Sequence, residues 1–195
     1  AGLASRSPSA AIDHAGQAAT PWQEALSPNT SLTAAPTSIQ LAPAEYVQTP
    51  VWAYNNTVPG PLLRYRQGET LNRLLINELP QPTTIHWHGL RLPNGMDGVP
   101  NMTQAPVDAN GGQFRYVFDL PDAGTYWYHP HASSEEQVGR GLYGPLIIDE
   151  KDQAAWQQEA GVEDDQVLIL DDWRLTQNAT LSEPFGNRHD RSHGG

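Results

Sequence analysis

Four of the seven histidines in this 195-residue chain fall in two His-x-His pairs, His86-Trp87-His88 and His129-Pro130-His131. Side chains on a β-strand alternate between its two faces, so each pair sends both imidazoles to the same side. Imidazole suits copper, zinc, iron and nickel, whereas magnesium and calcium prefer oxygen ligands, so four histidines converging from two strands would form a transition-metal site. At a rise of about 3.3 Å per residue, the members of one pair start about 6 to 7 Å apart. That span suits ligation of two neighbouring ions at least as well as a grip on one. A lone His-x-His is more often an ordinary strand feature. Two pairs in one domain, each flanked by aromatic residues and glycine, read as ligands.

The elements that must carry these pairs are short strands. SIQLAP, YVQTPVWAYN, PLLRYR and TLNRLLINEL are β-favouring runs separated by Pro, Gly and Asn. Their alternation is imperfect, as expected of sheet faces that are both partly buried. GGQFRYVFDLP is cleaner: Phe114, Tyr116, Phe118 and Leu120 share one face, and Arg115 and Asp119 the other. Pro121 to Gly124 turns the chain into GTYWYHPH, which carries the second pair. Pro130 lacks an N–H and holds His129 extended, so this strand must lie at an edge or leave its ladder where the ligands sit. Within the motifs, Trp87 should point away from its flanking histidines into the core, and Trp127 should share the histidine face and wall the site. After the pair, SSEEQVGRG can hold one helical turn, and GLYGPLIIDE is a last apolar strand. Glu135 and Glu136 in that polar run read as solvated or salt-bridged. Seven or eight short strands over about 115 residues predict an all-β Greek-key sandwich or barrel.

Composition narrows the function. A formal net charge of -11 disfavours nucleic acid and anionic membrane surfaces as partners. The absence of cysteine excludes disulfides, thiolate zinc sites and thiol nucleophiles within this sequence. No apolar run approaches the roughly 20 residues that would span a bilayer. The opening AGLASRSP has no charged and apolar signal regions, which suits a processed exported protein and would equally suit an artificial start.

Taken together, HWHG, DGVPNMTQ, GTYWYHPH and GLYGPLIIDE resemble the first cupredoxin domain of the multicopper oxidases, the family of laccases, bilirubin oxidases and bacterial copper-efflux oxidases. VWAYNNTVPGPLLRYRQGE is similar to that family's opening strands, and the likeness runs from about Ser38 to Glu150. The resemblance implies a Greek-key cupredoxin domain and a trinuclear copper cluster at a domain interface, where dioxygen is reduced to water by four electrons. It also implies that His86 binds the type 2 copper and that His88, His129 and His131 bind the type 3 pair. Asp97 matches the acidic residue that delivers protons or orients bound water behind the cluster in bacterial members. From the residues alone, Asp97 before Gly98 would read as a turn. Gly89 and Gly98 would permit the turns that return the Asp97 loop toward the metals. A periplasmic or secreted location fits this family.

The expected organisation is a mobile arm over residues 1–35, cupredoxin domain 1 over 36–150, a linker over 151–164, and the first strand and tail of an incomplete second cupredoxin domain over 165–195. The family's type 1 copper needs a cysteine thiolate and its cluster uses eight histidines, so this chain would need partner domains, in the same polypeptide or another chain, besides dioxygen and a small reducing substrate. Two other readings are a stand-alone copper-binding or carrier module without turnover, and a scaffold that has lost its metal. The intact ligand set argues against the second. A zinc hydrolase would also use histidines, but the surrounding motifs do not resemble one. His189 and His193, four apart in the polar tail, read as solvated.

Overall fold

A computed structural model describes residues 31–161 and 165–182. Its eight strands are β1 (Ser31–Ile39), β2 (Thr49–Tyr54), β3 (Leu63–Arg66), β4 (Thr70–Asn77), β5 (His86–His88), β6 (Gly112–Asp119), β7 (Gly124–His129) and β8 (Gly144–Asp149). They form two four-stranded sheets, ordered β2-β1-β4-β6 and β3-β8-β7-β5. Five consecutive connections, from β2 through to β7, change sheet. This is the expected all-β sandwich, and the repeated crossing ties both layers to one core.

The core lies between the sheets. β6 alternates as its sequence predicts, with Tyr116 and Phe118 buried and Arg115, Val117 and Asp119 exposed. In β4, Leu71, Arg73, Leu75 and Asn77 face inward, while Leu74 and Ile76 are only half-buried on the other side. Apolar residues on both faces explain why its pattern looks irregular. Arg73 is 1% exposed; its Nε donates to the Tyr65 hydroxyl at 2.6 Å, which offsets part of the cost of burying the charge.

The structure moves one boundary. The arm was expected to extend to residue 35, yet β1 begins at Ser31. Ser31 to Ala34 pair in parallel with Leu74 to Asn77, and Ala34 to Ile39 pair antiparallel with β2. The segment has little apolar bulk, so its place comes from backbone pairing on both sides and from the inward Leu32 and Ala34, which are buried. Residues 1–30 of the predicted arm lie outside the described residues.

Helix α1 (Ser134–Gly139) forms the helical turn expected in SSEEQVGRG, and α2 (Gln153–Ala160) occupies the predicted linker. The strand expected after Asp165 does not form. Val167 to Leu170 have no ladder partner among the described residues, and Leu168 and Leu170 are 84% and 95% exposed. A strand needs a neighbour for its backbone groups, and none is at hand here. Further on, the chain returns to the same sandwich. Tyr143 donates its hydroxyl to Asp171, and Thr49 donates to the Ala179 carbonyl at 2.6 Å. No helix among the described residues is long and apolar enough to cross a membrane.

Candidate metal centre

Strand β5 is three residues long and lies at the edge of its sheet, paired antiparallel with β7. Trp87 anchors it. The indole is fully buried and meets Tyr116 and Phe118 edge-on at ring-centroid distances of 5.4 and 5.7 Å. A side chain of this size contributes several kcal/mol to the core, about 3–5 by the usual cost of truncation. With Trp87 held inward, the period of two sends His86 and His88 to the outer face.

The register sets His86 opposite His129 and His88 opposite Trp127. Strand β7 ends at His129, so the chain leaves the ladder at Pro130, as that proline requires. His131 therefore lies beyond the strand. Its backbone N–H donates to the Thr84 hydroxyl at 3.2 Å.

One ligand nitrogen from each of His86, His88 and His129 falls within 4.8 Å of the others. The His131 ring lies 5.2 Å from that of His86, so the fourth histidine borders this trio. His88 Nδ1 and His129 Nε2 are 3.2 Å apart. Two nitrogens on one tetrahedral ion, at bonds of about 2.0 Å, would be about 3.3 Å apart. His88 and His131 are exposed, while His129 is buried. Burial, with smaller contributions from His86, His88 and His131, pulls the His129 pKa down to about 4. Its imidazole is thus neutral at physiological pH, the form in which a histidine binds a metal.

Hydrogen bonds orient the rings. His86 Nδ1 lies 2.7 Å from the Asp97 carbonyl oxygen and 3.3 Å from the Asp97 carboxylate. A carbonyl oxygen only accepts, so Nδ1 carries the proton and Nε2 keeps its lone pair. His129 Nδ1 makes the same kind of bond to the Pro130 carbonyl at 2.9 Å. Trp127 stacks on the His129 ring at 4.0 Å and on the His88 ring at 5.0 Å, forming the wall expected of it.

The contact of Asp97 with His86 depends on Gly98, which is buried with φ +74. A Cβ there would overlap the Ile85 carbonyl group and lie 2.9 Å from the His86 nitrogen. Only glycine lets the loop come this close. Glu136 pairs with Arg140 at 2.9 Å, matching the salt-bridged reading. Two residues near the site were not legible. Thr84 and Gln137 are fully buried and hydrogen-bonded, but a threonine beside another threonine and a glutamine in a polar run carry no sequence signal. His189 and His193 lie outside the described residues.

A family model described as multicopper oxidase matches residues 36–153. Copper resistance protein A of Pseudomonas syringae pv. tomato is 42% identical over 121 residues, covering 62% of this chain and 19% of its own. The multicopper oxidase MmcO of Mycobacterium tuberculosis is 43% identical over 124 residues, covering 62% and 22%. Among solved structures, a multi-copper oxidase from Pseudomonas parafulva superposes with a TM-score of 0.70 at 43% identity, over 83% of this chain and 37% of that one. The chain matches about a fifth of the length of these two curated relatives. Because the family match contains both histidine pairs and nearly the whole sandwich that aligns them, the chain belongs to the multicopper oxidase family.

Proposed function

We propose that this chain forms part of a copper-dependent oxidase and supplies half of the histidines of a trinuclear copper cluster. The enzyme couples one-electron oxidation of a phenol or metal ion to four-electron reduction of dioxygen to water. His86 is the type 2 ligand, and His88, His129 and His131 serve the type 3 pair. The observation that carries this reading is the convergence of His86, His88 and His129 from two paired strands, with His131 beside them.

The donor set fits copper. It is all imidazole, at least one ring is held neutral, and two rings carry their proton on Nδ1, leaving Nε2 unprotonated. Bound copper would supply the one-electron redox chemistry that dioxygen reduction needs. The protein's own part is to hold and orient the ligands. The Asp97 carbonyl fixes the His86 ring, while the Asp97 carboxylate stands beside the same nitrogen, where it can pass protons or orient water. Trp127 limits rotation of two rings and covers one side of the site.

The sequence contains no cysteine, so a thiolate type 1 site and the remaining histidines come from further cupredoxin domains, in the same polypeptide or another chain. Residues 165–195 mark the approach to such a domain, and the protein acts in the periplasm or after secretion. The test is a His88→Ala/His131→Ala double variant of the full-length copper-loaded protein. Type 3 copper and oxygen uptake should both disappear while the far-ultraviolet circular dichroism stays unchanged. An unchanged copper count with unchanged oxygen uptake would overturn the ligand set. Copper binding without oxygen uptake in the unmodified full-length protein would favour the carrier reading instead.

A further inference from the structure

His131 poses a problem that the ladder does not solve. It follows Pro130, beyond the last paired residue of β7, so the backbone bonds that place the other three histidines do not reach it. We propose that Gln137 is a positioning residue which latches the segment carrying His131 to the lead-in of β5. The inference rests on the reading of His131 as a copper ligand.

Gln137 lies on α1, six residues after His131, and is fully buried. Its Oε1 accepts a hydrogen bond from the Thr83 hydroxyl at 2.6 Å, and its Nε2 donates to the Pro82 carbonyl at 2.9 Å. The next residue, Thr84, accepts the His131 N–H. Pro82, Thr83 and Thr84 thus hold α1 and His131 from one side, and Ile85 and His86 follow directly. The same stretch is fastened to the loop that leads into β6, because Thr83 and Val107 exchange backbone hydrogen bonds at 3.1 and 2.8 Å. Nearby, half-buried, Gln81 donates to Glu136, which in turn accepts from Arg140. Those contacts are partly reached by water, whereas the Gln137 amide is fully buried and is not easily replaced.

The amide is suited to this task. A planar group whose oxygen and NH2 each bond a different residue of the same stretch fixes the rotation of its helix as well as its depth. A leucine would fill a similar volume and leave the Thr83 hydroxyl and the Pro82 carbonyl without those partners. Because α1 begins within three residues of His131, a change in its seating would be passed to that histidine.

The test measures the rate at which the full-length copper-loaded protein loses copper to excess EDTA, with melting temperatures of the metal-free forms in parallel. Gln137→Leu should lose copper about 10- to 100-fold faster than the unmodified protein, the range found when partners that orient metal ligands are removed. Thr83→Val should match it, and Thr83→Ser should restore the slow rate. In a His131→Ala background, Gln137→Leu should add no further acceleration, because the group on which it acts is gone. Wild-type copper retention in Gln137→Leu would overturn the proposal. So would an equal acceleration in both backgrounds, which would mark a general structural role. If Gln137→Leu does not fold, the Thr83→Val and Thr83→Ser pair decides by the same criterion. Unchanged retention in His131→Ala alone would overturn the ligand assignment, which is a distinct failure.

Discussion

Gly98→Ala should damage both the fold and the His86 side of the site, and the size of the effect follows from two terms. An L-residue at φ +74 is in left-handed territory, which costs about 1–2 kcal/mol. The added Cβ would lie 2.5 Å from the Ile85 carbonyl carbon and 2.9 Å from the His86 nitrogen, both backbone atoms that cannot swing aside. Forced overpacking of this kind costs about 1–3 kcal/mol. The sum is roughly 2–5 kcal/mol, and with a urea slope of about 2 kcal/mol per M the unfolding midpoint should fall by roughly 1–2.5 M. The loop can escape only by moving off β5, and that movement stretches the 2.7 Å bond between the Asp97 carbonyl and His86 Nδ1. Copper content should therefore fall as well. Gly98→Asn separates the terms, since asparagine tolerates positive φ but still brings a Cβ. It should stay destabilised by the overlap. Gly95→Ala is the control, because a Cβ there meets nothing within 4 Å. A Gly98→Ala midpoint within the equivalent of about 0.5 kcal/mol of the unmodified protein, with copper retained, would refute the reasoning.

Three further expectations concern single groups. Asp97→Asn keeps the backbone carbonyl that orients His86, so copper should remain while turnover slows about 10- to 100-fold; loss of all metal would make the carboxylate a structural support. In the metal-free protein, burial holds the His129 pKa near 4, so between the ordinary 6.5 and that value the unfolded chain takes up a proton that the folded one does not. Stability should be full above pH 6.5 and decline toward pH 4, and His129→Ala should flatten that slope in urea titrations; an identical slope would exclude His129 as its source. Tyr65→Phe keeps the ring near the Arg73 guanidinium but removes the hydroxyl that accepts its 2.6 Å hydrogen bond. A loss of about 2 kcal/mol is expected in urea unfolding, and a change below about 0.5 kcal/mol would show that the buried arginine does not depend on this bond.

Much of the site was legible because β periodicity is strict. His86 and His88 flank Trp87, so burial of the indole alone decides where both imidazoles point. Pro130 likewise announces the end of the ladder, since a residue without an N–H cannot continue it. β6 was read correctly for the same reason, its apolar and polar residues alternating from Phe114 to Leu120 with the single exception of Val117. Other elements were opaque. β1 starts at Ser31 because β2 and β4 lie on either side of it, and the residues Ser31 to Ala35 give little hint of this. The run Val167 to Leu170 is apolar and β-favouring, yet it is not a strand, since hydrophobicity does not supply a partner for its backbone.

What the sequence determined by itself, then, was the local face of His86 and His88, the place where the second pair leaves its strand, and the all-β architecture with its resemblance to the multicopper oxidases. These follow from side-chain alternation, proline and motif, which act between near neighbours in the chain. Only the tertiary structure decided that His86 opposes His129 across two strands 43 residues apart, that Gly98 must be bare because the Ile85 carbonyl approaches it, and that a buried glutamine ties α1 to Pro82 and Thr83. Each of these depends on register and close packing between distant segments, and such contacts are set by how the two sheets close on one core.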